Sequence, residues 1–198
     1  MWEDRYKSSD EYLFGQAPAL FLTENPWVVM PGARALCVAD GEGRNAVHLA
    51  RAGMQVTAFD MAPTAVARAQ ELAAKHGVRI ATQVSTWDAW DWRQSFDLVA
   101  AIFVQFMPPE KRVQQFRDLA QALRPGGRLL LHGYTPEQIK LGTGGPGCAD
   151  NLYTEDLLRQ SFPGWHIERL AAYEREVQEG RAHSGHSALI DFVARKPE

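Results

Sequence analysis

The 198 residues are 45% hydrophobic and 23% charged, which is the composition of an ordinary soluble globular protein. The formal net charge is −3, and no lysine- or arginine-rich run is present, so we expect no nucleic-acid partner. No secretory signal or membrane-length apolar run occurs, and the two cysteines, Cys37 and Cys148, fit neither a disulfide framework nor zinc spacing. We expect one domain, a cytoplasmic location and no membrane partner.

Strand and helix patterns alternate through the first two thirds of the chain. Apolar runs predict strands at 35–39, 55–60, 78–84, 96–103 and 128–132, with helices at 44–51, 63–77 and 109–123 between them. The third helix should bury Val113, Phe116, Leu119 and Leu123 as one stripe. This alternation predicts an α/β fold, a mostly parallel sheet with helices on both faces.

The last third changes character. A capping box at 135–138 predicts a short helix, a glycine-dense loop follows at 142–151, and Thr154 should cap another short helix. Two strand-like runs, 165–173 and 187–195, should form an antiparallel pair that closes the sheet. We divide the single domain into an N-terminal cap (1–30), a cofactor-binding core (31–133) and a substrate-side lid with closing strands (134–198).

A glycine turn at the end of the first strand is the main functional signal. From Gly41 the chain reads G-E-G-R-N-A, the pattern by which dinucleotide-binding folds bring backbone N–H groups and a helix N-terminus to a ligand. Asp60 follows 19 residues later, at the end of the second strand, where an acid can accept bonds from ribose hydroxyls. The pattern predicts a ribose-bearing ligand, although a plain tight turn with a helix-capping aspartate would look the same.

The ligand's charge separates two cofactor classes. No tyrosine has a lysine four residues later, so the usual base of single-domain NAD(P) reductases is missing. Asp40 and Glu42 place carboxylates where a pyrophosphate would approach, whereas a cationic sulfonium ligand tolerates them. The residues favour S-adenosylmethionine (SAM); an NAD(P)-dependent oxidoreductase and a catalytically silent SAM-binding module remain the alternatives.

The turn GEGRN, Asp60, FDLVAAIF, LRPGG and the terminal strand pair resemble class I SAM-dependent methyltransferases. The stretch GYTPEQIKLGTGGP resembles their small-molecule branch, which is related to tellurite-resistance and thiopurine methyltransferases. The resemblance implies a Rossmann-like sheet of seven strands, SAM as cofactor with S-adenosylhomocysteine (SAH) as product, and a small-molecule acceptor such as a thiol or a selenium or tellurium oxyanion. Separately, His183 and His186 could suggest a metal site with His132 or Cys148, but solvated turn histidines explain them better, so we expect no metal.

Cofactor contacts can be assigned from the same resemblance. The turn would run under the methionyl group and ribose, Asp60 would bind the ribose hydroxyls, and the residues after the second, third and fourth strands would surround adenine and form the floor. Cys37 and Ala39 depart from the family, which has an acid and a glycine there, so the residue that holds the methionine ammonium stays open. The implied cofactor-binding residues are Asp40, Gly41, Glu42, Gly43, Asn45, Asp60, Met61, Thr86, Trp87, Ile102 and Phe103.

Acceptor-side candidates are fewer, because methyl transfer from a sulfonium depends mainly on alignment and needs a base only when the acceptor must lose a proton. His132 ends the fifth strand and is either a base or a structural histidine, and Tyr134 and Gln105 lie near the same sheet edge. We take these three as the catalytic candidates. The loop at 142–147 would form a lid, and the aromatic residues of the N-terminus would either cover the cofactor or pack in the core.

Overall fold

The computed structural model describes residues 1–198. Its helices are α1 (Trp2–Lys7), α2 (Leu20–Glu24), α3 (Arg44–Arg51), α4 (Pro63–Lys75), α5 (Pro109–Gln121), α6 (Gln138–Leu141) and α7 (Glu155–Ser161). Its strands are β1 (Arg34–Val38), β2 (Gln55–Asp60), β3 (Ala81–Val84), β4 (Phe96–Ile102), β5 (Leu123–Tyr134), β6 (His166–Glu179) and β7 (His183–Arg195).

All seven strands belong to one sheet, in the order β3-β2-β1-β4-β5-β7-β6. Strand β2 pairs in parallel with β1 and β3, β4 pairs in parallel with β5, and β5 pairs antiparallel with β7. This confirms the predicted fold, including the antiparallel strands that close the sheet. No helix has the length and apolar character needed to cross a bilayer.

Two compact units share the chain. The first contains Met1–Asp91 with Glu179–Ala182, and the second contains Trp92–Gln178 with His183–Glu198. The first unit therefore holds β1–β3 and α1–α4, together with a short turn from much later in the chain. The predicted division into cap, core and lid follows other boundaries and stays a prediction.

Burial explains why the apolar runs became strands. Every residue of β4 is buried, as expected of a strand covered on both faces. In β1 the four residues after Arg34 are buried, and Cys37 is among them, with its pKa raised by burial. Cys37 is thus a small interior residue of the strand.

The stripe of α5 was predicted wrongly at one position. Phe116, Leu119 and the following Leu123 are buried, but Val113 is 54% exposed. Arg112 and Gln115 are buried instead, because Arg112 donates to the carbonyl of Asp150 and Gln115 to that of Val104. Backbone acceptors of nearby loops thus turn two polar residues inwards.

Several element ends also differ from the predictions. Strand β3 begins at Ala81, three residues later than expected, while β5 extends back to Leu123 across the RPGG turn, with a register shift against β4. Helix α6 begins at Gln138, because Thr135 bonds the side chain of Glu137 rather than capping a helix. Thr154 caps α7 as predicted, its hydroxyl accepting from the Leu157 N–H at 3.1 Å.

Candidate active site

A tight turn joins β1 to α3 in the first unit. Ala39, Gly41 and Gly43 have φ angles of 47°, 60° and 86°, a region that glycine adopts freely and alanine does not. A Cβ on Gly43 would lie 2.6 Å from the Cβ of Ala69, and one on Gly41 would lie 2.7 Å from the hydroxyl of Tyr6. The two glycines are thus required by backbone conformation and by close packing, whereas Ala39 is strained.

Asp60 ends β2 directly beside this turn. Its Oδ2 accepts from the N–H of Gly41 and its Oδ1 from that of Ala62, each at 2.9 Å. Burial raises its pKa, and these backbone donors partly oppose the rise. The carboxylate therefore fixes the turn and still has acceptor capacity for other donors, since each oxygen has two lone pairs.

Asp40 is the acid of this turn that has one carboxylate oxygen without a partner. Its Oδ2 is shielded from solvent and has no hydrogen-bond partner. Burial raises the pKa of Asp40 to about 7; the Ala46 N–H and the Arg44 charge oppose this rise, and the Asp60 charge adds to it. A buried carboxylate of this kind is stabilised by a cationic donor.

Glu42, in contrast, is fully engaged inside the protein. Its Oε1 lies 2.7 Å from Nη1 of Arg68, and its Oε2 accepts from the N–H of Leu13, also at 2.7 Å. The carboxylate is only 3% exposed. Glu42 therefore binds the N-terminal strap, the name we give to residues 9–20.

Other side chains of the motif bind the same strap. Asn45 accepts from the N–H of Ala19 at 2.9 Å. Arg44 pairs with Glu179 at 2.7 Å, and Glu179 in turn accepts from the N–H of Leu20 at 2.9 Å. The motif residues after Gly43 thus hold the protein's own backbone in place.

Tyr6, on α1, covers the turn. It is 4% exposed and packs in a cluster with Leu13, Ala62 and Ala65. Its pKa is raised, first by burial and then by the charges of Asp60, Glu42 and Asp40, so the hydroxyl stays protonated near all three carboxylates.

The residues predicted to surround adenine differ in accessibility. Met61 is 47% exposed beside Asp60, and Thr86 is exposed after β3. Trp87 is buried, with its ring centroid 6.2 Å from that of Phe59. The N–H of Ser85 donates to the carbonyl of Asp60, which holds the end of β3 beside that of β2.

In the second unit, a group of rings lies after the end of β4. Ile102 is the last residue of β4, and Phe103 follows with a φ of 58°, unusual for an aromatic residue and typical of functional sites. The Phe103 centroid lies 4.8 Å from that of His132, 4.9 Å from that of Tyr134 and 4.1 Å from that of His183. The structure thus brings Phe103, His132 and Tyr134 together.

Gln105 bonds the backbone of β5 in the same unit. Its Nε2 donates to the carbonyl of Tyr134 at 2.7 Å, and its Oε1 accepts from the N–H of Tyr134 at 2.6 Å. A Cβ on Gly133 would lie 2.3 Å from that Oε1, so only glycine leaves room for the amide. Gln105 therefore holds the end of β5 in position.

His132 is bound to an acid that the sequence did not reveal. Its Nδ1 lies 2.8 Å from Oδ1 of Asp191, and both side chains are almost fully buried. The two residues face each other across the β5–β7 register, 59 positions apart in the chain. No local pattern in the sequence indicates such a pair. The same is true in the first unit of Arg68, which pairs with Glu42, and of Glu179, which pairs with Arg44.

His186 and the glycine loop have ordinary partners. His186 lies between Glu174 and Glu176, at 3.0 and 3.4 Å, on the surface. No three His, Cys, Asp or Glu side chains are placed to hold a metal ion. Gln138 donates to Thr143 and to the carbonyl of Gly144, which ties the loop to α6.

Comparison with known proteins agrees with this geometry. Residues 35–127, which run from β1 through the RPGG turn, match the family described as methyltransferase domain. This match supports the resemblance of the sequence to class I SAM-dependent methyltransferases over that stretch. Binding of SAM or SAH is typical of the family.

Individual relatives and solved structures match the chain over longer stretches. An uncharacterized protein from Mycobacterium tuberculosis is 33% identical over 141 residues, which is 69% of this chain and 50% of that protein. The chain thus spans about half the length of this relative. A structure titled for the conversion of a disulfide bond into a thioacetal group during echinomycin biosynthesis has a TM-score of 0.78 at 19% identity, covering 99% of this chain and 91% of the other.

TehB from Haemophilus influenzae is also similar in structure. Its TM-score is 0.68 at 17% identity, over 88% of this chain and 61% of TehB. At such identities these likenesses show the fold.

Proposed function

We propose that the protein transfers a methyl group from SAM to a small-molecule acceptor. The observation that carries the proposal is Asp40, which has a shielded carboxylate oxygen without a partner inside the glycine turn of a methyltransferase domain. The methionyl ammonium of SAM is a cation with three donors, and a carboxylate is its natural partner.

Asp40 thus becomes the acid that holds the ammonium, in place of the acid that the family carries at Cys37. Glu42 is not needed for this role, since both of its oxygens already have internal donors. The proposal accounts for the raised pKa of Asp40, because the negative charge of a carboxylate in a cation-binding site is not neutralised until the cation binds.

The neighbouring residues suit the rest of the cofactor. Asp60 retains lone pairs for ribose hydroxyls while it holds the N–H groups of Gly41 and Ala62. Met61 offers an exposed apolar side chain to adenine, and Thr86 an exposed edge. Trp87, Ile102 and Phe103 stay predicted contacts.

When bound, SAM supplies a methyl group that is already activated by the sulfonium charge. The chain's residues then bind, orient and exclude water, and no covalent catalysis is required of them. A small acceptor is supported by the likeness to TehB and to the protein of echinomycin biosynthesis. No observation in the structure favours an NAD(P) oxidoreductase.

Thermal unfolding with SAM, SAH, NAD or NADP is the first test. SAM and SAH should raise the melting temperature; a rise with NADP alone would overturn the proposal. Asp40→Asn should reduce the SAM effect, whereas Asp88→Asn, which changes an exposed acid of the same unit, should not. SAH formation with a panel of thiols, phenols, selenite and tellurite then distinguishes an enzyme from a silent SAM-binding module.

A further inference from the structure

Tyr6 places a phenolic hydroxyl over the glycine turn of the first unit. The residue is 4% exposed, and its ring packs with Leu13, Ala62 and Ala65. A Cβ on Gly41 would lie 2.7 Å from the hydroxyl oxygen and 3.5 Å from the ring carbon that carries it, so the hydroxyl is the part of the side chain that points at the turn. The ring is therefore held by apolar packing while its polar end faces the turn.

Contacts on two sides hold α1, and with it this ring, in place. Glu3, one turn before Tyr6, accepts from the N–H and the hydroxyl of Thr64 at 3.1 and 2.8 Å, which ties α1 to the start of α4. The Tyr6 ring centroid lies 6.0 Å from that of Trp2 and 6.4 Å from that of Phe14. The protein itself thus sets the position of the hydroxyl, which lowers the entropy cost of a contact with a ligand.

This hydroxyl makes no hydrogen bond within the protein. Its pKa is raised by burial and by the charges of Asp60, Glu42 and Asp40, and no hydrogen bond contributes. The phenol therefore keeps its proton and can offer it as a donor. The hydroxyl of Tyr12, in the strap, differs in this respect, since it donates to the carbonyl of Arg68 at 3.2 Å.

The methionyl end of SAM carries a carboxylate as well as an ammonium. Asp40 is the proposed partner of the ammonium, which leaves the carboxylate beside an acidic turn. The two buried arginines of this region are already neutralised, because Arg44 is paired with Glu179 and Arg68 with Glu42, each at 2.7 Å. A ligand carboxylate at the turn therefore needs neutral donors, and hydrogen bonds from neutral donors to an ionised acceptor are among the strong ones.

We propose that the Tyr6 hydroxyl donates to the methionyl carboxylate of SAM, so that the protein selects a cofactor with an intact amino-acid group. This inference rests on the proposed function and extends it to the second charged group of the methionyl end. Asp40 and Tyr6 recognise the two charges separately, the acid binding the cation and the phenol the anion. Because the phenol is neutral, it binds the anion without adding a charge to the turn.

Calorimetric titrations of the full chain with three ligands test this contact. Decarboxylated SAM lacks only the carboxylate, and 5′-methylthioadenosine lacks the whole aminobutyrate group and the sulfonium charge. Tyr6→Phe, which removes one oxygen atom, should weaken SAM binding by about 10-fold or more and change binding of the two truncated ligands by less than about 2-fold. Equal losses for all three ligands would overturn the proposal, because the hydroxyl would then contact the ribose or only support the fold.

The wild-type protein provides a second measurement that depends on no variant. It should bind SAM at least about 10-fold more tightly than decarboxylated SAM, since the truncated ligand leaves the hydroxyl without its acceptor. Equal affinities for the two ligands would show that the carboxylate makes no favourable contact, and would overturn the proposal.

Tyr12→Phe is the matched control, because it removes a strap hydroxyl whose partner is a backbone carbonyl of α4. It should change the affinity for SAM by less than about 2-fold. Arg5→Gln tests a nearby exposed cation, whose guanidinium lies 4.5 Å from the centroid of the Trp2 ring. A loss for SAM alone in Arg5→Gln, without one in Tyr6→Phe, would assign the carboxylate to Arg5 and refute the role of Tyr6.

Asp40→Asn separates this inference from the proposed function. SAM and decarboxylated SAM should lose affinity alike in that variant, since both keep the ammonium, whereas 5′-methylthioadenosine should not. A wild-type protein that does not bind SAM refutes the proposed function. A protein that binds SAM with an affinity unchanged in Tyr6→Phe keeps the proposed function and refutes the carboxylate contact.

Discussion

Oε1 of Glu42 and Nη1 of Arg68 lie 2.7 Å apart, and the same carboxylate holds the N–H of Leu13. This ion pair takes an acid of the glycine turn away from the cofactor and uses it to bind the N-terminal strap. A residue that the family resemblance assigns to ligand binding thus has an internal structural role in this protein.

Glu42→Ala should therefore act on stability more than on chemistry. Removing one partner of a buried ion pair leaves the other uncompensated, so we expect the free energy of unfolding to fall by about 3 kcal/mol. Chemical denaturation measures the loss, and hydrogen exchange at the Leu13 amide should accelerate. Glu71→Ala, at an exposed acid of α4, is the control; an equal effect at both positions would contradict the prediction.

Asp40 should link stability and cofactor binding to pH. Its folded-state pKa of about 7 lies above that of the unfolded chain, so the folded state holds more protons between the two values and stability falls as pH rises through that interval. Asp40→Asn should flatten this dependence in urea denaturation between pH 4 and pH 8. An unchanged slope would show that the carboxyl group is not perturbed.

The same acid should release a proton when SAM binds. At pH 6.5 Asp40 is largely protonated, and a bound ammonium favours the carboxylate. Calorimetry in phosphate and in Tris should give different binding enthalpies, and the difference should vanish in Asp40→Asn. Identical enthalpies in the two buffers would place the ammonium elsewhere.

Position 39 should be more stable with glycine than with the native alanine. Its φ of 47° strains alanine by about 1 kcal/mol, so Ala39→Gly should raise the melting temperature. Ala35→Gly, in the extended strand β1, should lower it, because glycine weakens a strand interior. Two shifts of the same sign would refute the strain argument.

Gly133 and Gln105 should behave as one unit. Gly133→Ala displaces the amide that bonds Tyr134, and we expect a loss of about 2 kcal/mol for the two hydrogen bonds. The double variant with Gln105→Ala should be no less stable than Gln105→Ala alone, since the clash then disappears. Gly147→Ala, where a Cβ meets no atom within 4 Å, is the control. Additive losses would contradict the coupling.

How much the sequence could predict depended on the distance between interacting residues. The apolar run of β4, the Pro63 start of α4 and the turn at Gly41 are local signals, and each predicted its element. The position of Asp60 beside the turn could be predicted, because this fold places an acid at a regular spacing after the turn. Asp191 could not, because its partner is set by the register of two strands far apart in the chain.

Predictions from local sequence patterns also failed where a side chain bonds the backbone of another segment. Val113 and Arg112 exchange their expected positions because a loop carbonyl needs a donor. Glu42 and Asn45 fit a ligand motif, yet they bind the strap. The sequence pattern shows that polar groups converge on the turn, but not whether they meet a ligand or a backbone amide.

The Arg44–Glu179 pair has a consequence for how the protein folds. Its partners are 135 residues apart, so the turn at Glu179–Ala182 can join the first unit, and Glu179 can bind Leu20 at the end of the strap, only after a very long loop has closed. Contacts of such sequence separation form slowly, since the chain entropy is lost before the contact is gained. We expect the Leu20 end of the strap to be secured late in refolding, after the parallel strands β1–β3 have formed.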